Sequence, residues 1–165
     1  MAVNLTREEA LDYICRSKLI DMSNTDFEEV FLDMGLDYCS GIVSEDSKRQ
    51  AVLENLRYCF RGAPNQFIAN YIYDTFGTDV AITGKPEDLF PCPCCGAKSL
   101  DELYNPACGT GYDICEYCGW EDDGTDDPNK QSSVNKGTMS DYRVKLPKNE
   151  PDNPRWIFAG LGRSD

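Results

Sequence analysis

Two short segments of the chain carry paired cysteines at a spacing that binds metal ions. Each has the pattern Cys-x-x-Cys-Gly, at residues 92–96 and 115–119, and 19 residues separate Cys95 from Cys115. This spacing is typical of a zinc site with four thiolate ligands, whose sulfur atoms lie about 2.3 Å from the ion. Because four thiolates leave no position for water, we predict a structural Zn²⁺ ion bound by Cys92, Cys95, Cys115 and Cys118.

Two further cysteines near these motifs, Cys94 and Cys108, are possible alternative metal ligands. Cys94 lies within the first motif, where it could replace a neighbour as a ligand or point outward. Thiol redox enzymes place Cys-x-x-Cys at the start of a helix, which lowers the pKa of one thiol. Here each motif is followed by glycine and turn residues, a pattern that argues against redox chemistry.

The residues around the two motifs resemble the bacterial cysteine-rich CPCC domain. The resemblance rests on residues 90–96 and 112–124, followed by Asn135-Lys136-Gly137 and Tyr142-Arg143, and it extends from about residue 90 to residue 143. It implies a small, zinc-ribbon-like protein. Because some members occur beside bacterial toxin genes, the resemblance also implies that this chain is an immunity protein that neutralises a toxin.

Length and composition favour a cytoplasmic protein of one domain or slightly more. The chain has 165 residues, no apolar signal segment at its start and no apolar run of membrane-spanning length. Its nine cysteines are an odd number and cluster in the two motifs. We therefore expect reduced thiols in the cytoplasm rather than a secreted disulfide scaffold.

Negative charge is concentrated beside the second motif. The chain has a net charge of −13, and residues 101–127 contain nine acidic residues and no lysine or arginine. Affinity for nucleic acid comes largely from lysine and arginine contacts to phosphate, so we exclude DNA or RNA as the ligand of this region. We predict instead a protein partner with a basic surface, because opposite charges accelerate association.

The densest acidic segment follows the second motif. We predict that it binds the partner through Trp120, Glu121, Asp122, Asp123, Asp126 and Asp127. Two alternatives stay open: the acidic segment is a solvated loop, and Trp120 covers the metal site instead of contacting a partner. The segment does not match a calcium-binding loop, because its glycine and closing glutamate are misplaced.

The N-terminal half has the periodicity of four short amphipathic helices. The predicted starts are Thr6 as the cap of a helix over residues 7–20, Thr25, Ser47 as a cap, and Pro64. Their apolar faces are expected to pack as the core of a small bundle. Cys15, Cys39 and Cys59 have no ligand spacing and are expected to be buried or idle thiols.

These patterns predict an α+β protein with three parts. Residues 1–84 form a helical subdomain, residues 85–143 a zinc-ribbon-like module, and residues 144–165 an irregular tail. The hairpin of the module is predicted to pair residues 98–100 with residues 112–114. Residues 156–158 of the tail are apolar enough to dock back onto the body.

The sequence argues against an enzyme. It contains no histidine, which removes the commonest general base and both serine–histidine and cysteine–histidine catalysis. The first hypothesis is therefore a non-catalytic protein that binds and neutralises a partner. The alternatives are a structural zinc-ribbon adaptor in a bacterial assembly and, last, a thiol- or zinc-dependent enzyme.

Overall fold

The computed structural model describes residues 2–35, 44–147 and 154–159. The chain divides into two compact units, the first comprising residues 1–61 and 65–86 and the second residues 62–64 and 87–165. The longer helices lie in the first unit, and the second contains the cysteine motifs and short strands. The predicted α+β class is therefore confirmed. No helix within the described residues is both long and apolar enough to cross a membrane.

The first unit contains four helices: α1 (Arg7–Asp21), α2 (Asn24–Asp33), α3 (Glu45–Tyr58) and α4 (Asn65–Phe76). The predicted cap of α1 is confirmed, because the Thr6 side chain accepts from the Glu9 N–H and the Glu9 carboxylate accepts in return. The predicted cap of α3 at Ser47 is wrong. Ser44 is the cap, because its hydroxyl accepts from the Ser47 N–H, one of the donors that a helix start leaves unpaired.

The core of the first unit lies between α1, α2 and α3. Cys15, Phe31, Val52 and Leu56 are buried together there. Cys15 is fully buried and Cys59 is exposed, whereas Cys39 lies outside the described residues.

A two-stranded parallel sheet, which the sequence did not predict, completes the first unit. Strand β1 (Val3–Thr6) pairs with β2 (Val80–Thr83) in the register Val3 opposite Val80. The buried Arg7 fixes this end of α1, since its guanidinium donates to Asn65 Oδ1 at 3.1 Å and to the Phe60 carbonyl at 3.2 Å. The prediction of a helical bundle is thus incomplete, because a parallel pair joins distant segments and leaves no local sequence signal.

The second unit has strands β3 (Phe90–Pro91) and β4 (Lys98–Leu100) and a short helix, α5 (Met139–Val144). Strand β4 pairs with β3 in antiparallel orientation, so the predicted pairing of β4 with residues 112–114 is wrong. Residues 112–114 instead meet the segment after the second cysteine motif, with Ile114 opposite Glu121. The pairing is local, because each Cys-x-x-Cys turn joins two strand segments that then pair with each other.

Within the second unit, residues 154–159 dock onto the β3–β4 sheet, which confirms the prediction for residues 156–158. The Lys98 N–H donates to the Ile157 carbonyl at 2.8 Å, and the Ala159 N–H donates to the Gly96 carbonyl at 2.9 Å. The segment therefore pairs with residues 96–98 in antiparallel orientation and adds a short edge strand to the β3–β4 sheet. The Trp156 side chain enters the core of this unit.

We expect Cys15 to resist thiol reagents in the folded protein. Burial raises the pKa of its thiol to about 11 from an ordinary value of 9.0, so the thiol stays neutral near neutral pH. Mass-spectrometric mapping after brief labelling should find Cys59 modified and Cys15 unmodified until the chain is unfolded. Equal rates at both residues in the folded protein would contradict the burial of Cys15.

The same shift sets a pH dependence of stability. The pKa of the Cys15 thiol is higher in the folded protein than in the unfolded chain. As the pH rises, the unfolded chain therefore loses this proton before the folded protein does. The free energy of unfolding should therefore fall as the pH rises above 9. A Cys15→Ala variant should show a weaker fall over this range.

Candidate metal centre

The two Cys-x-x-Cys-Gly turns have the same backbone geometry. In the first, the Cys92 N–H donates to the Ala97 carbonyl and the Gly96 N–H to the Cys92 carbonyl, both at 2.8 Å. In the second, the Cys115 N–H donates to the Trp120 carbonyl and the Gly119 N–H to the Cys115 carbonyl, again at 2.8 Å. Gly96 and Gly119 have φ angles of 78° and 74°, in the region that favours glycine.

These turns bring four sulfur atoms together. The Sγ atoms of Cys92, Cys95, Cys115 and Cys118 all lie within 4.8 Å of one another. The Cys92–Cys118 sulfur separation is 3.7 Å and the Cys95–Cys115 separation is 3.6 Å. Four ligands at about 2.3 Å around a tetrahedral ion are separated by about 3.8 Å. The arrangement fits one tetrahedral metal ion.

The electrostatics of the cluster favour a bound cation. The pKa of the Cys115 thiol lies well below its usual range, because the neighbouring thiols of Cys118, Cys92 and Cys95 and the Ser99 hydroxyl stabilise its thiolate. The Ser99 bond is 3.0 Å long. The Cys115 sulfur in turn raises the pKa values of the other three thiols. Four thiolates can therefore coexist here only with a cation among them.

The two alternative ligands are not part of this group. Cys94 is fully buried, and its thiol donates to the Met139 carbonyl at a sulfur–oxygen distance of 3.7 Å. Cys108 is exposed, in a turn where its sulfur accepts from Asn105 Nδ2 at 3.5 Å. Neither thiol belongs to the set that could share one ion.

Helix α5 holds the first cysteine turn in place. Arg143 donates from Nε to the Cys94 carbonyl at 2.7 Å and from its terminal guanidinium nitrogen to the Pro93 carbonyl at 3.3 Å. The helix itself begins with a capping box, in which the Thr138 hydroxyl and the Asp141 backbone and carboxylate bond reciprocally. Arg143 belongs to the sequence resemblance, but neither this helix nor the role of the guanidinium was predicted from the sequence.

Asn135 holds the strand that leaves the second cysteine turn. Its Oδ1 accepts from the Glu121 N–H at 2.8 Å, and its Nδ2 donates to the Glu121 carbonyl at 2.9 Å. The Tyr142 hydroxyl donates to the Asn135 carbonyl at 3.0 Å and thereby links this contact to α5. The Asn135 side chain thus bonds the backbone of Glu121 as a neighbouring strand would. Such a contact leaves no periodic pattern in the sequence.

The structure corrects two of the six residues predicted to bind a partner. Trp120 is fully buried in the core around the cysteines, where its ring meets that of Tyr142 edge to face at 5.2 Å. Asp122 is 4% exposed and accepts from the Tyr104 N–H at 2.8 Å. Both side chains serve packing or backbone hydrogen bonds, so neither is available at the surface.

The other four acidic residues are accessible to different degrees. Asp126 and Asp127 are exposed, and Glu121 and Asp123 are half-buried. Asp123 accepts from the Ser132 hydroxyl at 2.7 Å and from the Thr125 N–H at 3.0 Å. Burial alone would raise the pKa of Asp123, but these hydrogen bonds lower it below its usual value and keep the carboxylate charged.

Part of the second unit matches a known protein family. Residues 90–147 match the family described as Cysteine-rich CPCC, so these residues form a cysteine-rich CPCC domain and the resemblance noted in the sequence is confirmed. No curated protein and no solved structure gives a significant match.

We expect cysteine variants to separate ligands from spare thiols. Cys115→Ser should abolish tight metal binding, because it removes one of the four convergent sulfurs. Cys94→Ser should retain one metal ion per chain, because the serine hydroxyl can donate to the Met139 carbonyl as the thiol does. Elemental analysis of the purified variants, with exposed Cys108→Ser as the control, measures the difference. Loss of metal from Cys94→Ser would show that the ligand set is different.

We also expect residues 154–159 to stabilise the metal centre. Trp156→Ala should destabilise the domain by about 3–5 kcal/mol, because it leaves a large cavity beside the cysteines. Transfer of the metal to a chromogenic chelator should then be faster than in the parent protein. Ile157→Ala is the matched control, because that side chain is exposed in the same segment. Equal transfer rates for the two variants would contradict a role for the Trp156 contact.

Proposed function

We propose that the CPCC domain holds a structural Zn²⁺ ion and that the chain is a non-catalytic protein that binds and neutralises a basic protein partner. The convergence of four cysteine sulfurs at tetrahedral spacing carries the first part of this proposal. Tetrahedral thiolate sites select zinc or iron–sulfur centres, and a single ion at these spacings favours zinc. Four thiolates complete the coordination shell, so no position is left for a reacting water.

The local fold supports a structural role over thiol redox chemistry. The backbone after Gly96 enters strand β4, and the backbone after Gly119 pairs back onto residues 113–115. A redox Cys-x-x-Cys instead starts a helix, whose N-terminus stabilises the reactive thiolate. A zinc site of this kind also requires reduced thiols, which supports a reducing compartment such as the cytoplasm.

The second part of the proposal rests on uncompensated negative charge. Residues 101–127 carry nine acidic residues and no basic residue. Arg155 pairs with Glu116 at 2.9 Å, but Glu121, Asp126 and Asp127 form no ion pair within the described parts of the chain. Such a surface repels nucleic acid and attracts a basic protein.

An immunity protein is the form of this function that the family resemblance favours. A toxin that acts on nucleic acid needs a basic substrate cleft, and an acidic protein can occupy that cleft and exclude the substrate. The binding protein then needs no catalytic residue. Its zinc ion would keep a small acidic surface folded despite the repulsion among its carboxylates.

The metal proposal predicts one zinc ion per chain in protein purified without added metal. Removing the ion with a strong chelator should unfold the CPCC domain, because structural zinc contributes on the order of 10–16 kcal/mol of apparent binding energy. Both tryptophans, Trp120 and Trp156, lie in the core of this unit, so their fluorescence should shift to longer wavelength. A folded, metal-free domain would refute the structural role of zinc.

The partner proposal predicts a salt-sensitive complex with a basic protein. A pull-down from the native strain, analysed by mass spectrometry, identifies the partner. The rate of association with that partner is then measured at low and high salt. Asp126→Asn/Asp127→Asn should slow association about tenfold at low salt without releasing metal, because both side chains are exposed. Asp127→Asn keeps an oxygen that can accept from the Asn129 N–H.

The buried Asp122 provides the control for that experiment. Asp122→Asn should alter stability through its contact to Tyr104 and leave the salt dependence of association unchanged. Association that is insensitive to both changes and to salt would exclude the acidic surface as the site of contact. A stable zinc protein with no basic partner would favour the adaptor alternative.

A further inference from the structure

A short two-stranded ribbon emerges from the second cysteine turn. It consists of residues 112–114 and 121–123 and is called the exposed ribbon below. The Asp122 N–H donates to the Asp113 carbonyl at 2.9 Å, and the Tyr112 N–H donates to the Asp122 carbonyl at 3.0 Å. Ile114 lies opposite Glu121 in a pair flanked by these bonds and the Cys115–Trp120 bond. Side chains of such non-hydrogen-bonded pairs are the closest across antiparallel strands.

The exposed ribbon presents apolar side chains to solvent. Ile114 is 61% exposed and Tyr112 is 47% exposed. The second cysteine turn fixes the register of this ribbon, so these two side chains are held outward rather than free to fold inward. Tyrosine is among the side chains that contribute most to binding where it lies at a protein interface.

The Tyr112 ring is held in place by its backbone conformation and by the ring of Tyr104. Tyr112 and Asp113 both oppose Asp122, which makes a β-bulge, and Tyr112 has a φ of 66°, where glycine is usual. Its ring meets that of Tyr104 edge to face at 5.4 Å. Tyr104 is itself confined, because a Cβ at Gly124 or at Gly111 would collide with it. The exposed aromatic ring is therefore preorganised, which lowers the entropy cost of binding.

Two carboxylates lie near this aromatic ring. Hydrogen bonding to Tyr104 raises the pKa of the Tyr112 phenol, and the charges of Asp123 and Glu121 raise it further. The Glu121 carboxylate has no hydrogen-bond or ion partner within the described residues. Ile114 faces Glu121 across the ribbon and Tyr112 precedes Ile114 by two residues, so an exposed aromatic ring, an aliphatic side chain and a carboxylate come from one short segment whose charge selects a cationic group.

We propose that the exposed ribbon is a docking site for an arginine side chain of a basic protein partner. The guanidinium stacks on the Tyr112 ring and pairs with the Glu121 carboxylate, while the aliphatic stem of the arginine lies against Ile114. Arginine fits better than lysine, because its planar group can stack on an aromatic ring and bond a carboxylate through two N–H groups at once. This inference rests on the proposed function and assigns the chemistry of its contact.

The test uses the full-length protein and two capped peptides, hexa-arginine and hexa-lysine, as probes. Affinities are measured by calorimetry, and the site is mapped by amide chemical-shift changes. We expect hexa-arginine to bind about threefold to tenfold more tightly than hexa-lysine, with the largest shifts in residues 112–123. Tyr112→Asn should remove this preference, because asparagine tolerates the left-handed backbone but has no ring to stack. Glu121→Gln should weaken hexa-arginine binding by a similar factor.

Matched controls separate the ribbon from general charge effects. Tyr73→Asn removes an exposed tyrosine and Glu29→Gln an exposed carboxylate, both in the first unit. Both should leave the arginine preference intact. Ile114→Thr is a second ribbon variant that keeps a β-branched residue, and it should weaken hexa-arginine binding if Tyr112→Asn does not fold.

The outcomes distinguish this inference from the function on which it rests. Equal weakening by Glu121→Gln and Glu29→Gln, with no effect of Tyr112→Asn, would overturn the arginine site and leave a diffuse acidic surface that still supports partner binding. Absence of peptide binding would also overturn the site, and the pull-down would then decide the proposed function by itself. Shifts centred outside residues 112–123 would place the contact elsewhere.

Discussion

The convergence of four cysteine sulfurs is the constraint on which the CPCC domain depends. Thiolates whose sulfur atoms lie 3.6–3.7 Å apart repel one another, so the fully ionised cluster needs a cation among its sulfur atoms. Each pair comes from a tight turn that also starts a hairpin, at Cys92–Ala97 and Cys115–Trp120. A metal ion bound by these four cysteines would therefore couple the two hairpins, and its loss would release both together.

The contacts around the metal centre come from parts of the chain distant in sequence. Arg143 binds two carbonyls of the first turn, Asn135 replaces a pairing strand beside the second, and residues 157–159 extend the β3–β4 edge. Trp120 and Trp156 fill the space between them. A domain with so few regular strands satisfies its backbone through side chains, which accounts for the several asparagine and aspartate acceptors near the site.

The acidic residues of this domain have two distinct roles. Asp113 and Asp122 accept backbone N–H groups of residues 101–104 and hold that loop against the ribbon. Glu121, Asp126 and Asp127 form no ion pair within the described residues, and they give the surface its charge. Burying the first group as hydrogen-bond acceptors costs little, because each negative charge is compensated by donors. The proposed partner contact belongs to the second group alone.

The sequence by itself determined which four cysteines form a candidate metal site and that the first unit is mainly helical. Cysteine spacing fixes the geometry of a turn over a few residues, and an apolar repeat fixes one face of a helix, so both are encoded locally. Only the tertiary structure decided which strands pair, that Trp120 and Asp122 are buried, and that Val3–Thr6 joins Val80–Thr83. Those features depend on contacts between residues far apart in the chain, for which a single sequence carries no periodic signal.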